Sequence, residues 1–391
     1  MLKIENRSTI RALRAYLEKI HLGEIMQSIR PSIPVEDPWP SYLHFKQSLA
    51  RLPDGLRPGF ELFVLGDEVP LAAAEASMGR ELLRGLIDTG VLASAREGAV
   101  STLGRAIVPF SGFFIFADLP AYYPNARGRQ QQIFVDRSTM FLARVLPATR
   151  RRRAAEICAG AGLLSLFMST AAEEVVSCDL NPVAINAGQF NAVLNHLEDR
   201  VRFIESDLMS AYPKEPLDLI VSNPPYLALP KGSTFEHYWA GDGGVDGMDL
   251  VYKILDQSVS RMGPSSTAYI MIAGYGDEVG PSSRHRILEL ARANDWSTKL
   301  VLFYGPAIEE YLQLHEINMD NPELFASEVR KYTAANNLTR YFLSLLTIRP
   351  ASAQDPAGLE VLNSLGNTAQ RAREMRRIRA AMASSAAAQG E

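Results

Sequence analysis

The feature that most constrains the fold is a stiff polar loop directly after an apolar run. Residues 217–222 have the composition of a buried strand, and Asn223, Pro224, Pro225 and Tyr226 follow at once. Each proline fixes its own φ and lacks a backbone donor, and the residue before a proline is driven toward an extended conformation. The loop therefore holds one amide and one aromatic ring at the carboxyl end of a strand, where open α/β sheets bind ligands. Taken alone, the tetrapeptide also fits a proline-stiffened turn after a core strand.

A glycine turn connects an apolar strand to a helix further upstream. The strand ends near Ile157, the turn contains Gly160 and Gly162, and the helix begins at Leu163. Small residues let the backbone approach a ligand closely, and the start of the helix directs N–H groups toward it. A tight turn without a ligand uses the same residues, so this feature needs support from its neighbours.

Two further strands each end in an acid. The first ends at Asp179, about 20 residues after the glycine turn, which is the spacing typical of a carboxylate that binds ribose hydroxyls. The second ends at Asp207. Asp179 also fits a helix-capping acid, because Asn181 and Pro182 begin a helix immediately after it. The order of glycine turn, acid, acid and Asn-Pro-Pro-Tyr, each at a strand end, is more specific than any one of its members.

This order resembles that of the class I S-adenosylmethionine-dependent methyltransferases, in the branch that carries Asn-Pro-Pro-Tyr, over roughly residues 130–350. The resemblance implies an α/β fold with a doubly wound, Rossmann-like sheet and S-adenosylmethionine as the ligand. That branch methylates amine and amide nitrogens of nucleobases, glutamine side chains and some small molecules. By the resemblance Asn223 and the carbonyl of Pro224 would hold the nucleophilic nitrogen, and Tyr226 would stack on the substrate. The ligand contacts that we expect are Glu156, Ala159, Gly160, Gly162, Asp179, Leu180, Asp207, Leu208, Asn223 and, just before the catalytic region, Phe134.

One departure from the family pattern affects the expected chemistry. The usual Asp-x-Gly-x-Gly-x-Gly loop has Glu156 in place of the aspartate and Cys158 in place of the first glycine. The amino-acid end of the ligand would then bind differently. A refolded methionine arm would let the ligand's own amine attack its γ-carbon, which releases methylthioadenosine and forms azetidine-2-carboxylate. Bacterial azetidine-2-carboxylate synthases look like methyltransferases, so this cyclisation is the alternative to methyl transfer.

The charge of the chain argues against nucleic acid as a substrate. The net charge is −4 and the sequence pI is about 6.0, whereas nucleic-acid enzymes need a basic surface to meet phosphates. The arginines at 150–153 and within 371–377 fit a solvated linker and a solvated helix face. A DNA-binding regulator with a vestigial ligand domain therefore stays a third, less favoured interpretation, and a small-molecule acceptor is favoured over nucleic acid, with a protein acceptor also open.

The remaining composition predicts a cytoplasmic enzyme without a metal. No stretch is long and apolar enough to cross a bilayer, and the amino terminus lacks a secretory hydrophobic region. Cys158 and Cys178 are the two cysteines, and both read as small buried residues of a reducing compartment. No group of cysteines and histidines has metal-ligand spacing. An oligomer is compatible with the sequence.

Three regions are expected along the chain. Residues 1–105 read as a helical, winged-helix-like domain. We interpret it as a cap rather than a DNA reader, because the helix expected at residues 80–88, which would enter the DNA groove, carries charges of both signs. Residues 106–350 would form the S-adenosylmethionine-binding domain, with an aromatic hairpin at its start. Between 227 and 249, glycines and aromatics such as Tyr238 suggest a flap over the substrate. Residues 351–391 would form a helix and a frayed tail.

Overall fold

The computed structural model describes residues 1–29, 39, 42–96, 98–120, 123–126, 131–212, 215–229, 241–315 and 322–364. The described chain divides into two units by its internal contacts. The first unit contains Met1–Ala148 and Ala159–Glu205, and the second contains Thr149–Cys158 and the chain from residue 206 onward. Each unit is described by itself below. The region boundaries expected at residues 105 and 350 stay predictions.

The helices, in chain order, are α1 Arg7–Lys19, α2 Leu22–Ile29, α3 Tyr42–Leu49, α4 Arg57–Phe60, α5 Leu71–Met78, α6 Arg80–Thr89, α7 Arg137–Val145, α8 Leu163–Met168, α9 Pro182–Leu194, α10 Asp249–Val259, α11 Arg284–Ala293, α12 Ile308–His315 and α13 Pro322–Ala335. The strands are β1 Val69–Pro70, β2 Ala93–Ser94, β3 Ala99–Ser101, β4 Arg105–Phe110, β5 Phe113–Asp118, β6 Arg151–Ile157, β7 Ala172–Asp179, β8 Val201–Glu205, β9 Leu217–Ser222, β10 Met262–Gly276, β11 Trp296–Tyr304, β12 Arg340–Pro350 and β13 Gly358–Asn363.

The amino-terminal part of the first unit follows the predicted periodicity. Helix α1 buries Ile10, Leu13 and Leu17 on one face, which is the apolar spacing that predicts an amphipathic helix. Strands β1, β3 and β2 form a small antiparallel sheet in that order, in which β1 precedes helices α5 and α6 in the chain and β2 and β3 follow them. The order of two helices followed by a strand-turn-strand, expected of a winged-helix-like region, is therefore present.

An aromatic hairpin follows, as the sequence predicts. Strands β4 and β5 pair antiparallel, with Arg105 opposite Asp118 and Phe110 opposite Phe113. The strand-turn-strand shape comes from the tight connection at residues 111–112, where Ser111 and Gly112 both adopt positive φ. Phe116 is fully buried and packs its ring against Phe190 of α9 at 5.3 Å between centroids. The hairpin thus forms part of the core of the first unit.

The rest of the first unit contains a strand-helix-strand repeat. Strands β7 and β8 run parallel, with Val175 opposite Val201 and Asp179 opposite Glu205. Helix α9 connects them and starts at Asn181, whose side chain accepts a hydrogen bond from the N–H of Val183. Parallel strands joined by a helix put the carboxyl ends of both strands at one edge. Asp179 lies at that edge.

The second unit holds a mixed sheet with the strand order β13-β11-β12-β10-β9-β6. Strands β6, β9 and β10 are parallel to one another, and β12 pairs antiparallel with both β10 and β11. Strands β11 and β12 pair antiparallel, and the helical hairpin of α12 and α13 lies between them in the chain. The alternation of parallel strands with helices in both units confirms the α/β, Rossmann-like fold class.

Two local predictions were wrong. The helix expected after residue 351 is absent from the described part of that range, where β13 runs parallel to β11. Leu359 and Val361 alternate with Glu360 and Leu362, and pairing to an existing edge satisfies the backbone better than a short isolated helix. The arginine run is no linker, because Arg151–Ile157 forms β6 and Arg153 makes an ion pair with Glu215.

Several predicted features lie outside the described residues. They are the proline-rich connection at 31–38 and 40, Tyr122 of the aromatic region, the central part of the proposed flap with Tyr238, and the tail beyond residue 364. Within the described ranges, no helix combines the length and the hydropathy needed to cross a membrane.

Candidate functional site

The glycine turn of the first unit depends on its two glycines. Gly160 has φ +51° and Gly162 has φ +76°, which lie in a backbone region that residues other than glycine seldom adopt. A Cβ on Gly162 would lie 2.6 Å from the ring of Phe203, and one on Gly160 would lie 3.8 Å from the carbonyl oxygen of Phe134. The turn therefore needs glycine at 162 both for its positive φ and for close packing, whereas at Gly160 the positive φ alone favours glycine.

Asp179 is fastened to this turn. Its Oδ2 accepts the N–H of Gly160 at 2.9 Å, and its Oδ1 accepts the N–H of Asn181 at 2.9 Å. Burial raises the pKa of the Asp179 carboxyl above its ordinary value, and the N–H groups of Asn181 and Gly160 oppose that rise. Two residues that the sequence predicts from separate motifs thus meet in one hydrogen bond. The next residue, Leu180, leaves 61% of its surface exposed.

The structure also places Ala159 and Phe134 at this turn. The N–H of Ala159 donates to the carbonyl of Cys178 at the end of β7, at 3.0 Å. Phe134 leaves 36% of its surface exposed, which is unusual for a phenylalanine next to a core segment. The first unit therefore gathers Ala159, Gly160, Gly162, Asp179 and Phe134, all of which were expected to contact the ligand.

Sequence reasoning missed Asn191, the residue that ties the aromatic hairpin to the glycine turn. Its amide is fully buried on α9. The side-chain oxygen accepts the N–H of Phe116 at 2.8 Å, and the side-chain nitrogen donates to the carbonyls of Phe116 and Ala161 at 3.1 and 2.8 Å. One turn later, Asn195 exchanges the same pair of bonds with Phe114. Two asparagines four residues apart toward the end of a predicted, largely apolar helix were the available signal.

In the second unit, the strand that carries Glu156 ends in an unusual turn. Glu156 is 2% exposed, and its carbonyl accepts the hydroxyl of Tyr212 at 3.0 Å. The carbonyl of the next residue, Ile157, accepts the hydroxyl of Ser222 at 2.8 Å. Cys158, which replaces the first family glycine, adopts φ +60°. The backbone thus keeps the left-handed conformation that suits a glycine although the residue is a cysteine.

Asp207 and Leu208 also belong to the second unit. Asp207 is exposed, and its carbonyl accepts the N–H of Ser210 at 3.1 Å, which closes a turn. Leu208 is buried and adopts φ +50°. A leucine in the left-handed region is uncommon, and such strain concentrates at functional turns.

The Asn-Pro-Pro-Tyr loop is packed from one side by a glycine-rich segment. Asn223 and Tyr226 are half-buried directly after β9, and Pro224 is buried. A Cβ on Gly243 would lie 2.7 Å from Cα of Tyr226, and one on Gly247 would lie 2.6 Å from its carbonyl oxygen. Only glycine allows this approach, so the predicted glycine-rich segment supports the loop.

Backbone hydrogen bonds fix the same segment to the residues after Tyr226. The N–H of Leu227 donates to the carbonyl of Gly241 at 2.8 Å, and the N–H of Gly243 donates back to Leu227 at 3.0 Å. The N–H of Leu229 donates to Gly244 at 2.8 Å. These bonds fix the described ends of the segment that we interpreted as a flap.

A tyrosine cluster also packs against Tyr226. Tyr311 and Tyr341 stack at 3.9 Å between centroids with 17° between their planes, and Tyr275 meets Tyr341 edge-on at 5.6 Å. The hydroxyl of Tyr275 donates to the carbonyl of Ala228 at 3.0 Å. Burial raises the pKa of Tyr311 and Tyr341 well above the ordinary value, so these hydroxyls stay protonated. Within the second unit, Asn223, Pro224 and Tyr226 thus lie on a loop that packs against both the glycine-rich segment and the tyrosine cluster.

Asp246 adds a partly buried acid to the glycine-rich segment. Its Oδ1 accepts the N–H of Met248 at 3.0 Å. Burial raises the pKa of its carboxyl, the N–H of Met248 opposes the rise, and the charge of Asp249 adds to it. Among the described residues, no group of three or more His, Cys, Asp or Glu side chains is arranged to hold a metal ion.

The region that contains these motifs is similar in sequence to known methyltransferases. Residues 130–234 match the methyltransferase small domain. The release factor glutamine methyltransferase of Bradyrhizobium diazoefficiens is 38% identical over 144 residues, which cover 34% of this chain and 48% of the relative. The ribosomal protein uL3 glutamine methyltransferase of Bordetella pertussis is 35% identical over 111 residues, which cover 26% of this chain and 37% of the relative. The chain thus spans about half or less of the length of these two curated relatives.

Solved structures are similar at a lower level. The ribosomal protein L11 methylase of Lactobacillus delbrueckii subsp. bulgaricus has a TM-score of 0.32 and 13% identity, and covers 56% of this chain and 80% of its own. The tRNA m1G37 methyltransferase of M. jannaschii has a TM-score of 0.37 and 14% identity, and covers 64% of this chain and 57% of its own.

Proposed function

Because residues 130–234 belong to the class I S-adenosylmethionine-dependent methyltransferase family, we propose that this protein transfers the methyl group of S-adenosylmethionine to a nitrogen atom held by Asn223. The acceptor that we propose is the side-chain amide of a glutamine in a protein. The relatives named above as glutamine methyltransferases support this class of acceptor. They give no support to the small-molecule acceptor that the sequence alone favoured.

The Asn-Pro-Pro-Tyr loop is the observation that carries the proposal. Its asparagine follows a buried parallel strand, and the glycine-rich segment and the tyrosine cluster both pack against the loop at Tyr226. An amide nitrogen has a delocalised lone pair and is a poor nucleophile. Hydrogen bonds from its N–H groups to the Asn223 side-chain oxygen and the Pro224 carbonyl would fix the nitrogen and aim it at the methyl carbon. The methyl–sulfur bond then breaks, its electron pair stays on sulfur, and the nitrogen loses one proton.

The ligand contacts follow from the chemistry of the residues in each unit. In the first unit, Asp179 is fixed to the glycine turn, and its remaining lone pairs suit two ribose hydroxyls. The exposed side chain of Leu180 suits the face of an adenine. In the second unit, the buried carboxylate of Glu156 suits the ammonium group of the methionine end, because opposite charges attract more strongly away from bulk water. Asp207 and Leu208 are proposed for the adenine amine and its surroundings.

A second candidate reaction rests on the turn at Cys158. A cysteine there, in a left-handed conformation, adds side-chain volume at the loop expected to bind the methionine end. That change favours a folded methionine arm, in which the α-amine attacks the γ-carbon. A carbon–nitrogen bond forms, the carbon–sulfur bond breaks with its electron pair on sulfur, and the amine loses one proton. The products are azetidine-2-carboxylate and methylthioadenosine.

One experiment separates these reactions. The purified protein is incubated with S-adenosylmethionine that carries a deuterated methyl group, first alone and then with a bacterial cell extract. Mass spectrometry follows the nucleoside products and the tryptic peptides. We expect S-adenosylhomocysteine only when extract is present, together with labelled methyl groups on glutamine residues of extract proteins. Asn223→Ala serves as the control for background labelling.

Each other outcome has a definite meaning. Methylthioadenosine and a four-membered amino acid without extract would replace methyl transfer by the cyclisation. Label on a small molecule or a nucleic acid, with none on protein, would overturn the glutamine acceptor but keep methyl transfer. Unchanged S-adenosylmethionine in both arms would overturn the proposed activity.

A further inference from the structure

A segment of fixed backbone precedes α7 in the first unit. Asp118, the last residue of β5, accepts the N–H groups of Gln132 and Ile133 on its Oδ2 at 2.6 and 2.9 Å. The N–H of Asp118 donates in turn to the carbonyl of Ile133 at 2.9 Å. Arg105, opposite Asp118 in the hairpin, donates to its Oδ1 at 3.2 Å. The segment is therefore held to the aromatic hairpin by several bonds at one carboxylate.

The other end of the segment is fixed as firmly. Asp136 caps α7, because its Oδ1 accepts the N–H of Thr139 at 2.7 Å. Between the two ends, Ile133 and Val135 are fully buried. Phe134 stands between them and keeps 36% of its surface exposed. An exposed aromatic ring on backbone that is fixed at both ends is a preformed surface for a planar or cationic ligand.

Trp39 holds this ring from one side. Its Nε1–H donates to the carbonyl of Val135 at 2.6 Å, and only 5% of the residue is exposed. The rings of Trp39 and Phe134 are stacked with 6.4 Å between centroids and 19° between planes. Tyr123 meets Trp39 edge-on at 6.3 Å and supports it from another direction. The exposed part of Phe134 is therefore the part that Trp39 does not cover.

The backbone of Phe134 adjoins the glycine turn. The Phe134 carbonyl lies 3.8 Å from where a Cβ on Gly160 would be, and the N–H of Gly160 is bonded to Asp179. We propose that Trp39 is a positioning residue of the S-adenosylmethionine site, which holds the Phe134 ring against the sulfonium end of the bound ligand. This inference rests on the proposed function, because it requires the chain to bind that ligand.

The positive charge of the sulfonium allows the role of Trp39 and Phe134 to be tested. A cation is attracted to the face of an aromatic ring, whereas the neutral thioether of S-adenosylhomocysteine is not attracted by its charge. If Trp39 only stabilised the fold, its loss would weaken both ligands equally. A positioning role predicts a change in the ratio of the two affinities.

The test uses the full chain and its own tryptophans, which are Trp39, Trp239 and Trp296. Tryptophan fluorescence and calorimetry follow titrations with S-adenosylmethionine and S-adenosylhomocysteine. The variants are Trp39→Phe, Phe134→Leu and the matched control Trp296→Phe, which changes a buried tryptophan of β11. Melting temperatures of all variants report on folding.

We expect the wild type and Trp296→Phe to show a saturable change in fluorescence with S-adenosylmethionine. Trp39→Phe should lose most of that change and bind S-adenosylmethionine about tenfold more weakly, which corresponds to a lost stacking and cation–π arrangement. Its affinity for S-adenosylhomocysteine should fall less. Phe134→Leu, which keeps the indole, should lose the same preference for the cationic ligand.

The failures are distinguishable. If calorimetry detects no binding of either ligand by the wild type, the proposed function falls, and the role of Trp39 falls with it. If the wild type binds but Trp39→Phe and Phe134→Leu keep its affinities and ligand ratio, only the positioning role is overturned.

Discussion

The glycine turn of the first unit and the Asn-Pro-Pro-Tyr loop of the second are both rigid, but different interactions make them so. The glycine turn is held by polar side chains that bond to backbone: Asp179 accepts from Gly160, and Asn191 donates to Ala161. The Asn-Pro-Pro-Tyr loop is held by close glycine packing and by the packing of Tyr226 against the tyrosine cluster.

This difference fits the two molecules that the regions are proposed to bind, which are S-adenosylmethionine at the glycine turn and the acceptor at the Asn-Pro-Pro-Tyr loop. Every substrate molecule of S-adenosylmethionine presents the same ribose and methionine groups, so directional hydrogen bonds can be built to fit them. The acceptor enters as part of another molecule, and a loop braced by packing would hold Asn223 in a fixed position to meet it. Substitutions at the glycine turn should therefore destabilise it by leaving buried polar groups without partners. Substitutions around the Asn-Pro-Pro-Tyr loop should destabilise it through lost volume or clashes.

The largest expected effect is at the packed loop. Asn223→Ala removes the side chain that would align the acceptor nitrogen, and we expect kcat to fall about 10²- to 10³-fold, the usual range for one preorganised polar contact. The dissociation constant for S-adenosylmethionine should stay within about threefold of the wild type, because the change removes no contact of the glycine turn. Turnover by quantitative mass spectrometry and binding by calorimetry give the two numbers. Normal turnover in the variant would remove Asn223 from the site.

The next effect tests the polar bracing. Asn191→Leu keeps the volume but leaves the N–H of Phe116 and the carbonyls of Phe116 and Ala161 without this partner in a buried region. We expect a loss of about 3 kcal/mol in unfolding free energy, since each buried polar group left unpaired costs about 1–3 kcal/mol. Urea unfolding measures the loss.

Asn186→Ala is the matched control for that change. Asn186 lies on the same helix and bonds to the N–H and carbonyl of Leu2 at 2.7 and 2.9 Å, but in a partly exposed place. Water can replace these bonds, so we expect a loss of about 1 kcal/mol. Equal losses in the two variants would contradict the idea that Asn191 braces the turn.

These contacts also separate what the sequence predicts from what it cannot. The strand ends at Asp179 and Asn223 and the glycine turn could be read from local patterns, because strand alternation, proline and glycine act over a few residues. Asn191 bonds to Phe116, which is 75 residues away, and Trp39 bonds to Val135, which is 96 residues away. Nothing local to either residue announces such a partner. The tyrosines at 275, 311 and 341 meet only because a helical hairpin returns the chain to β12.

The wrong prediction at the carboxyl end has a related cause. The sequence predicts a helix and a frayed tail over residues 351–391, a range that includes residues 358–363. Pairing with β11, some 60 positions earlier in the register Thr298 to Leu359, decides the conformation instead. Tertiary pairing overrides local preference most easily in short segments.

Asp179→Asn is expected to have the third largest effect. The neutral amide keeps the shape but loses the charge that would accept two ribose hydroxyls, so the dissociation constant for S-adenosylmethionine should rise about tenfold. The wild-type affinity should also weaken in acid. Because burial raises the pKa of this carboxyl, it is protonated at a higher pH than an ordinary aspartate, and ligand affinity should be retained above that pKa and lost as the pH falls through it.

Calorimetry across a pH series checks both statements about Asp179. The variant should bind weakly at all pH values and lack the acid limb of the wild-type profile. A variant that keeps the acid limb would show that another group titrates, and the ribose contact would have to be assigned elsewhere.

The substitution with the smallest expected effect separates the hydrogen-bonding contribution of Tyr275 from its packing contribution. Tyr275→Phe keeps the ring that meets Tyr341 and removes only the hydroxyl that donates to Ala228. We expect a loss of about 1 kcal/mol in unfolding free energy and a fall in kcat of about threefold or less, because packing still holds the loop. Tyr275→Ala removes the ring and should cost about 3–5 kcal/mol. If the single hydroxyl accounts for most of the loss in the alanine variant, then the Asn-Pro-Pro-Tyr loop is braced by hydrogen bonds after all, as the glycine turn is, and the contrast between the two regions disappears.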